Sequence, residues 1–389
     1  MHPLTAPSRR RFLHQAAATG LVLAAPGLAL ARAATERRFV FILQRGAADG
    51  LDTVVPYADP AYARLRGALA IDPANATRLD GSFALHPALA EVGKLYAAQQ
   101  ALFVHAVASP YRERSHFDGQ DVLESGAATP HGLKDGWLNR LVTLLPAPHA
   151  ASGDAIAITP TIPLALRGPA AVSSHAPTSL PQAPEDFLQR VQQLYMQDAQ
   201  LHAAWSAAME TRGMAATSGP RQTPRELGQL AAGFLAKPQG PRIAMLEMGG
   251  WDTHSAQAAR LTRQLQGLDA LVASLRDGLG EAWAHTVVLV ATEFGRTAAA
   301  NGTGGTDHGT GSVAMLLGGA VQGGRVLGDW PGLAPAALYQ GRDLQPTTEL
   351  HALMCAAAGE CFGVEGGALA RTLFPGQSAP KALPTLLRA

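Results

Sequence analysis

The chain has 389 residues, of which 47% are hydrophobic and 16% charged, with 31 Lys and Arg against 30 Asp and Glu. This length and apolar fraction are enough to bury a large core, which excludes wholesale disorder. A net charge of +1 with 6% aromatic residues gives no basis for nucleic-acid binding, which needs a basic surface or stacking aromatics. Two cysteines are too few for a disulfide-stapled scaffold or a cysteine-rich zinc module.

The first 33 residues have the pattern of an export signal. The string SRRRFL at 8–13 precedes an uncharged Ala/Leu-rich run over 15–31, and small residues at 29–33 fit an A-x-A cleavage site. The run has about 16 residues, whereas a membrane-spanning helix needs about 20. The string resembles a twin-arginine signal. We therefore expect the twin-arginine translocase as a partner, a periplasmic or secreted location, and no permanent membrane anchor.

The rest of the chain alternates between predicted strands and helices. Continuous apolar runs predict strands at 39–43, 101–107, 155–158, 243–246, 286–291 and 313–317. Such runs are typical of strands that are covered on both faces of a parallel sheet. Helical patterns over 87–99 and 256–279 separate some of these strands. The pattern predicts an α/β fold in which a largely parallel sheet lies between helices.

Residues 34–389 are expected to form a single domain with one segment of different character. Four prolines between 169 and 184 lead into a polar helical stretch over 185–209, and a stretch rich in Gly, Thr, Ser, Pro and Arg follows at 213–225. We interpret 168–240 as an insertion or cap on the sheet. The sequence contains neither a Rossmann glycine motif after a strand nor a P-loop.

Acidic and histidine side chains gather directly after the predicted strands. Since the carboxyl ends of parallel strands meet at one edge, where ligands bind, five separate segments should bring these side chains into one crevice. Carboxylates mixed with imidazoles, without thiolates, suit zinc, manganese or a similar divalent ion. The residues concerned are Asp49, Ser115, His116, Asp252, His254, Glu293, Asp307 and His308.

Each of these segments also has a structural interpretation. Asp49 precedes a glycine and could form a turn, Ser115 could be only the N-cap of a helix, and His116 could be a buried histidine with satisfied hydrogen bonds. Glu293 and Arg296 could be an ion pair that holds a loop. The residues alone leave these alternatives open.

Five motifs together resemble the bacterial family DUF1501 over roughly residues 36–375. They are GAADGLDTVVP at 46–56, SHFDGQ at 115–120, WDTH at 251–254, TEFGRT at 292–297 and GTDHG at 305–309. This family is similar to the alkaline phosphatase and sulfatase-like superfamily. The resemblance implies an alkaline-phosphatase-like fold and a site with two metals that bridge the attacking and leaving oxygens of an ester.

The resemblance also implies a role for each residue. Ser115 corresponds to the nucleophile, and Arg296 assists it in catalysis. Arg114 and His116 are expected to contact substrate, with either arginine available to hold an anionic oxygen. The implied metal ligands are Asp49, Asp252, His254, Glu293, Asp307 and His308.

Two departures from the superfamily pattern bear on function. Glu293-Phe294 stands where relatives commonly have Asp-His, so one ligand is missing or comes from His116 or Asp307. The sulfatase motif Cys-x-Pro-x-Arg is missing, because the only cysteines are Cys355 and Cys361, which could form a disulfide or remain free.

The sequence thus favours an exported hydrolase of phosphate or sulfate esters that uses zinc, manganese or calcium and acts on an anionic small molecule, with no nucleic-acid partner. The alternative is a non-catalytic periplasmic binding or assembly factor that retains the fold and holds at most a structural metal. A metal-free serine esterase is disfavoured, because Ser115 lies in Arg-Ser-His rather than Gly-x-Ser-x-Gly.

Overall fold

The structure is a computed structural model that describes residues 36–145, 153–176, 185–196, 198–214, 223–364, 366–379 and 381–388. The predicted signal peptide at 1–33 lies outside the described residues, so it stays a prediction.

The described residues form twelve strands and eleven α-helices. The strands are β1 Arg38–Gln44, β2 Val54–Val55, β3 Thr77–Arg78, β4 Ala84–Leu85, β5 Ala101–Ala108, β6 Ala155–Ala157, β7 Ser173–Ser174, β8 Ile243–Met248, β9 Thr286–Thr292, β10 Ser312–Leu317, β11 Arg325–Leu327 and β12 Thr348–Glu349. The helices are α1 Gly50–Thr53, α2 Tyr62–Arg66, α3 Ala90–Ala97, α4 His116–Ser125, α5 Trp137–Leu144, α6 Glu185–Tyr195, α7 Ala199–Met214, α8 Pro224–Leu235, α9 Gln257–Leu279, α10 Leu350–Phe362 and α11 Gly366–Leu373.

Nine of the strands form one mixed sheet in the order β11-β5-β10-β9-β1-β8-β6-β7, with β12 also paired to β5. Strand β1 is parallel to β8 and β9, and β8 is parallel to β6. Strand β10 is antiparallel to both β9 and β5, so β5 runs in the same direction as β9. The carboxyl ends of β1, β5, β8 and β9 therefore lie at one edge, and the expected α/β fold with a largely parallel sheet is confirmed.

The sheet is buried on both faces. Along β1, Phe39, Phe41 and Leu43 pack into one apolar cluster with α5, α10 and α11. Val40 and Ile42 pack into a second cluster with α3, α8 and α9 on the other face. Because both faces are apolar, these strands read as continuous hydrophobic runs rather than alternating ones.

Two features differ from what the sequence suggests. Strand β10 is antiparallel although its run resembles those of the parallel strands, because a loop without a crossover helix connects it to β9, and only antiparallel neighbours can be joined that way.

The polar helical stretch over 185–209 is divided into α6 and α7. Within 168–240, β7 extends the sheet beside β6 and α8 packs on α9; the boundaries of the insertion stay predictions.

Cys355 and Cys361 both lie on α10 as buried thiols, and neither forms a disulfide with a described residue. They are six residues apart on one helix, so they cannot approach within disulfide distance. In the described part of the chain, no single helix is long and apolar enough to cross a membrane, although α10 and α11, bent by 120°, pass that test as a pair.

A buried ionic cluster fixes the loop after β1. The Arg66 guanidinium donates to both oxygens of Asp49, at 2.5 Å and 3.0 Å. Gln257 donates to Asp49 at 2.6 Å and to Asp52 at 3.0 Å, and the Tyr62 hydroxyl donates to Asp52 at 2.9 Å. Burial raises the pKa of Asp52 to about 7, with the Arg66 charge opposing and the Asp49 charge reinforcing that effect. The single Arg66 guanidinium thus pairs with both Asp49 and Asp52, and Asp52 carries a proton at mildly acidic pH.

This cluster gives the folding free energy a defined pH dependence. A carboxyl group whose pKa is higher in the folded than in the unfolded state stabilises the fold below pH 4, and this contribution is lost as the pH rises towards 7. Asp52→Asn should remove the dependence, which is of order 4 kcal/mol between pH 4 and pH 7. Urea unfolding across this range measures it, with Asp329→Asn, which alters an exposed acid, as the control. If the unfolding free energies of the wild type and of Asp52→Asn changed with pH in the same way, the raised pKa of Asp52 would be contradicted.

Candidate metal centre

Three segments that follow parallel strands meet with a glycine-rich loop at the carboxyl edge of the sheet. Ser115 and His116 begin α4 after β5, Asp252 and His254 follow β8, and Glu293 follows β9. The β9–β10 loop carries Asp307 and His308 back to this edge because β10 starts there. The convergence results from strand direction, as expected from the sequence.

The centre of the cluster consists of His116, Asp252 and His308. Each offers one ligand atom, and the three atoms lie within 4.8 Å of one another. His116 Nε2 is 3.6 Å from Asp252 Oδ2, and His308 Nε2 is 3.2 Å from Asp252 Oδ1. Ligands that bind tetrahedral zinc at about 2.0–2.1 Å lie about 3.3 Å from each other. The separations therefore suit a small divalent cation.

His254 supplies a further nitrogen at this point. Its Nε2 lies 3.0 Å from Asp252 Oδ1 and 3.0 Å from His308 Nε2. Two imidazole nitrogens that face each other this closely either share one proton or both face a cation. His116 Nε2 is buried without a hydrogen-bond partner among the described residues. An orphaned ring nitrogen aimed at a carboxylate is a second indication that the donor set fits a metal.

Each histidine is oriented through its other ring nitrogen. His116 Nδ1 lies 2.8 Å from Glu293 Oε1, His308 Nδ1 lies 2.9 Å from the Arg114 carbonyl oxygen, and His254 Nδ1 lies 3.0 Å from Asp307 Oδ1. Metal-binding histidines commonly donate this N–H to a carboxylate or a backbone carbonyl, which directs Nε2 at the ion. All three rings thus present Nε2 to the centre.

The pKa shifts fit this arrangement. The hydrogen bond to Glu293 raises the pKa of His116, while burial lowers that of His308. Burial acts to raise the pKa of Asp252, but the hydrogen bond and charge of Arg296 outweigh it and the pKa is lowered. At neutral pH the centre thus contains an ionised carboxylate and a neutral His308. Since metal ligands must be deprotonated, the raised pKa of His116 opposes metal binding as the pH falls.

The structure assigns Glu293 and Arg296 to supporting positions. Glu293, predicted as a metal ligand, is fully buried; it accepts from Gly46 N at 2.8 Å and from Gln120 at 3.1 Å besides contacting His116. Arg296 is buried and donates to Asp252 at 2.6 Å and to Thr306 at 3.1 Å. Glu293 therefore orients His116, and Arg296 holds Asp252 instead of offering a free guanidinium to substrate.

The remaining predicted residues lie outside the cluster of His116, Asp252 and His308. Asp49 is not part of it, since its carboxylate is held by Arg66, Gln257 and the N–H groups of α1. Asp307 contacts His254 but is half exposed. The Arg114 side chain pairs with Asp343 at 2.8 Å and with Gln340 at 2.7 Å, so its carbonyl oxygen, not its guanidinium, faces the site.

Ser115 occupies the N-cap position of α4, yet its side chain makes no capping hydrogen bond in the described structure. A capping side chain accepts a hydrogen bond from the first turn of its helix, and Ser115 does not. The alternative that Ser115 is only an N-cap is therefore not supported. Its own N–H donates to the Tyr111 hydroxyl at 3.2 Å. Ser115 is half buried and directly precedes the candidate ligand His116 in the chain.

Two residues that contribute to the site, Gln120 and Phe294, received no role from the sequence. Gln120 links Glu293 to Arg45, accepting from the latter at 2.7 Å. Phe294 stacks on the His116 ring with centroids 5.1 Å apart and contacts the His308 ring at 5.3 Å. Gln120 lies in the motif at 115–120 and Phe294 in the motif at 292–297. Their place in these motifs was the only sequence signal for a part in the site, and their roles become visible only in the tertiary structure.

A family model described as "Protein of unknown function (DUF1501)" matches residues 36–373. The chain belongs to this family. No match was found among curated proteins. Family membership assigns no activity, so the chemistry of the site has to be inferred from its own residues.

Several solved structures are similar to the chain at low identity. The PsFucS1 sulfatase from Pseudoalteromonas sp. has a TM-score of 0.38 and 12% identity, covering 92% of this chain and 72% of its own. The phosphonate monoester hydrolase of Agrobacterium radiobacter has a TM-score of 0.32 and 11% identity, covering 88% and 78%. Ps i-CgsB in complex with k-i-k-neocarrahexaose has a TM-score of 0.45 and 10% identity, covering 87% and 74%.

The ligand set can be tested by elemental analysis of protein purified without chelator. We expect bound divalent metal in the wild type and its loss in His116→Ala, Asp252→Ala and His308→Ala, because each change removes a donor atom. His285→Ala is the matched control, since this exposed histidine precedes β9 at the opposite edge of the sheet. Full metal retention in all three ligand variants would disprove the site.

The same measurement separates the supporting role of Glu293 from ligation. Glu293→Gln keeps the shape of the side chain but weakens the hydrogen bond that orients His116. The metal affinity should fall about 10- to 100-fold, as for other partners of ligating histidines, rather than disappear. Complete loss would indicate that Glu293 binds the metal directly.

Proposed function

We propose that the chain is an exported, metal-dependent hydrolase of phosphate or sulfate esters, with Ser115 as the nucleophile. The observation that carries this proposal is the uncapped Ser115 hydroxyl at the start of α4, next in sequence to a histidine of the candidate metal centre. In the described part of the chain this hydroxyl makes no capping hydrogen bond, and such a hydroxyl next to a candidate metal ligand fits nucleophilic catalysis better than a stabilising role.

The start of α4 suits an anionic group. The first N–H groups of a helix have no intrahelical partner and carry a partial positive charge. In α4 the first intrahelical bond runs from Gly119 N to Ser115 O, and the Ser115 side chain does not cap the earlier N–H groups. These groups would hold the non-bridging oxygens of the ester while the hydroxyl attacks.

His116, Asp252 and His308 would hold a divalent cation, with His254 as a fourth donor. Such a cation supplies Lewis-acid stabilisation of the charge that develops on ester oxygens. The described carboxylates suit one ion rather than the two implied by the superfamily resemblance, because Asp49 is held by Arg66 and Glu293 lies behind His116. Zinc, manganese and calcium remain candidates, and the nitrogen-rich set favours zinc.

One observation favours the second candidate, a non-catalytic binding or assembly factor. Both arginines expected to clamp an anionic oxygen are already paired, Arg114 with Asp343 and Arg296 with Asp252. A hydrolase at this site would therefore hold the anionic part of its substrate with backbone N–H groups and the cation rather than with these two guanidinium groups. The two candidates therefore differ in turnover but not in metal content.

Export by the twin-arginine pathway is also part of the proposal and is supported by the string at 8–13. Replacing Arg9 and Arg10 with lysines should leave the protein in the cytoplasm, because the translocase reads the arginine pair. Cell fractionation of the wild type and the double variant measures this. Equal periplasmic yields would remove this part of the proposal.

Ser115→Ala tests the catalytic role. Metal-loaded wild type is assayed against nitrophenyl phosphate and nitrophenyl sulfate with zinc, manganese and calcium. The variant should lose at least about 10³-fold in kcat, as expected when a nucleophile is removed, while retaining its metal. Ser82→Ala, at an exposed position, serves as the control. Turnover that survives Ser115→Ala would exclude this nucleophile, and a wild type with metal but no turnover would favour the binding factor.

A further inference from the structure

Asp343 is a fully buried carboxylate that lies in none of the five sequence motifs and joins two segments of the candidate site. Its Oδ2 atom accepts from Arg114 Nε at 2.8 Å and from the Thr310 hydroxyl at 2.7 Å. Arg114 lies just before α4, and Thr310 follows His308 by two residues. A single carboxylate oxygen thus fastens the segment that leads into α4 to the loop that carries a candidate metal ligand.

The position of Asp343 is fixed by its own backbone. Asp343 N donates to Tyr339 O at 3.0 Å, and Tyr339 N donates to Asp343 O at 2.9 Å. A β-bridge joins Asp343 to Thr297 in the loop after β9. The neighbouring Arg342 donates to His308 O at 2.7 Å, and its Nη1 lies 3.6 Å from Asp343 Oδ1. The carboxylate therefore has a defined place from which it can restrain the residues that it contacts.

Arg114 needs a restraint, because its backbone lies in the left-handed region at a φ of 61°. This conformation is unfavourable for residues other than glycine. The guanidinium is held by Asp343 and by Gln340 Oε1 at 2.7 Å, and it lies over the Tyr339 ring at 5.9 Å. These contacts stabilise a turn that places the Arg114 carbonyl oxygen 2.9 Å from His308 Nδ1.

The Arg114 carbonyl oxygen determines which nitrogen of His308 can bind a cation. A carbonyl oxygen only accepts hydrogen bonds, so Nδ1 of the neutral ring must carry the proton. The lone pair of Nε2 then faces the centre, 3.2 Å from Asp252 Oδ1. Without this carbonyl, the ring could rotate and take the Nε2–H form, which neutral histidine favours in water. A restraint on Arg114 is therefore also a restraint on His308.

We propose that Asp343 is a positioning residue that keeps His308 in its metal-binding orientation through Arg114 and Thr310. The inference rests on the metal centre of the proposed function and not on ester hydrolysis itself. Because Asp343 acts through other residues, it is not a catalytic residue. It also gives a reason for the pairing of Arg114, whose guanidinium was expected from the sequence to contact substrate. The guanidinium instead holds a turn whose carbonyl oxygen orients a ligand.

The zinc affinity of Asp343 variants, measured by competition with a chelating dye, tests this role. Asp343→Ala removes the acceptor for Arg114 and Thr310, so the Kd should rise about 10- to 100-fold, as for other groups that orient ligating histidines. Asp343→Asn keeps the oxygen to which both hydrogen bonds run and should recover most of the affinity. Asp269→Ala is the matched control, since this buried carboxylate joins α3 to α9.

The control separates positioning from general stability. Asp269→Ala should lower the melting temperature, as Asp343→Ala does, but leave the Kd for zinc unchanged. Unchanged zinc affinity in Asp343→Ala, or an equal loss in both alanine variants, would overturn the inference. A wild type that binds zinc without turnover, together with weaker binding in Asp343→Ala, would support the positioning role in a non-catalytic protein.

A second measurement follows the His308 ring in metal-free protein. NMR of protein with isotopically labelled histidine nitrogens shows which ring nitrogen carries the proton, and His308→Gln identifies the signal. At neutral pH the wild type should show the Nδ1–H form. Arg114→Ala, which removes the partner of Asp343 but keeps a carbonyl at this position, should shift the ring towards the Nε2–H form. An Nδ1–H form that persists in Arg114→Ala and Asp343→Ala would overturn the inference, whether or not the protein binds metal or hydrolyses esters.

Discussion

The candidate site depends on strand direction more than on any single contact. Strands β1, β5, β8 and β9 all run the same way, so the loops that follow them open at one edge. Reversing β10 brings the loop before it to that same edge and adds His308 to groups that follow β5 and β8. Residues 116, 252 and 308 are far apart in the chain, and the sheet alone makes them neighbours. The helices on both faces then hold this arrangement rigid, because the sheet is buried on both sides.

Within the site, Asp252 is the common partner of three groups. Its Oδ1 atom contacts Arg296 at 2.6 Å, His254 at 3.0 Å and His308 at 3.2 Å. Asp252 and Glu293 supply two buried or half-buried carboxylates here, with Asp307 a third beside His254, and Arg296 opposes them with one guanidinium charge. This excess of negative charge favours a cation at the centre.

The main strands along the chain and the gathering of polar residues at one edge could be predicted from the sequence, because apolar runs and the residues after them are local signals. The roles of Asp49 and Glu293 could not. Asp49 is held by Arg66, which is close in sequence, but also by Gln257, whose approach requires the folded sheet. Glu293 was expected to face the metal, yet the His116 ring stands between them. A carboxylate that binds an ion and one that orients its ligand look identical in sequence. The antiparallel β10 could have been foreseen, since no helical pattern separates it from β9.

The glycines in the loop before β10 are needed for packing, and this packing bears on function. A side chain at Gly305 would collide with the backbone at His254, and one at Gly309 would collide with the backbone at Arg296. Glycine is therefore required where this loop passes between the segments after β8 and β9. Hydrogen bonds from Thr306 N to Thr253 O and from Gly309 N to Gly295 O fasten it there. The loop that carries His308 is thus packed in place rather than free to close over the site. A donor set held in position by the fold costs little reorganisation when it binds a metal or an anionic ester, which is what a preorganised catalytic centre requires.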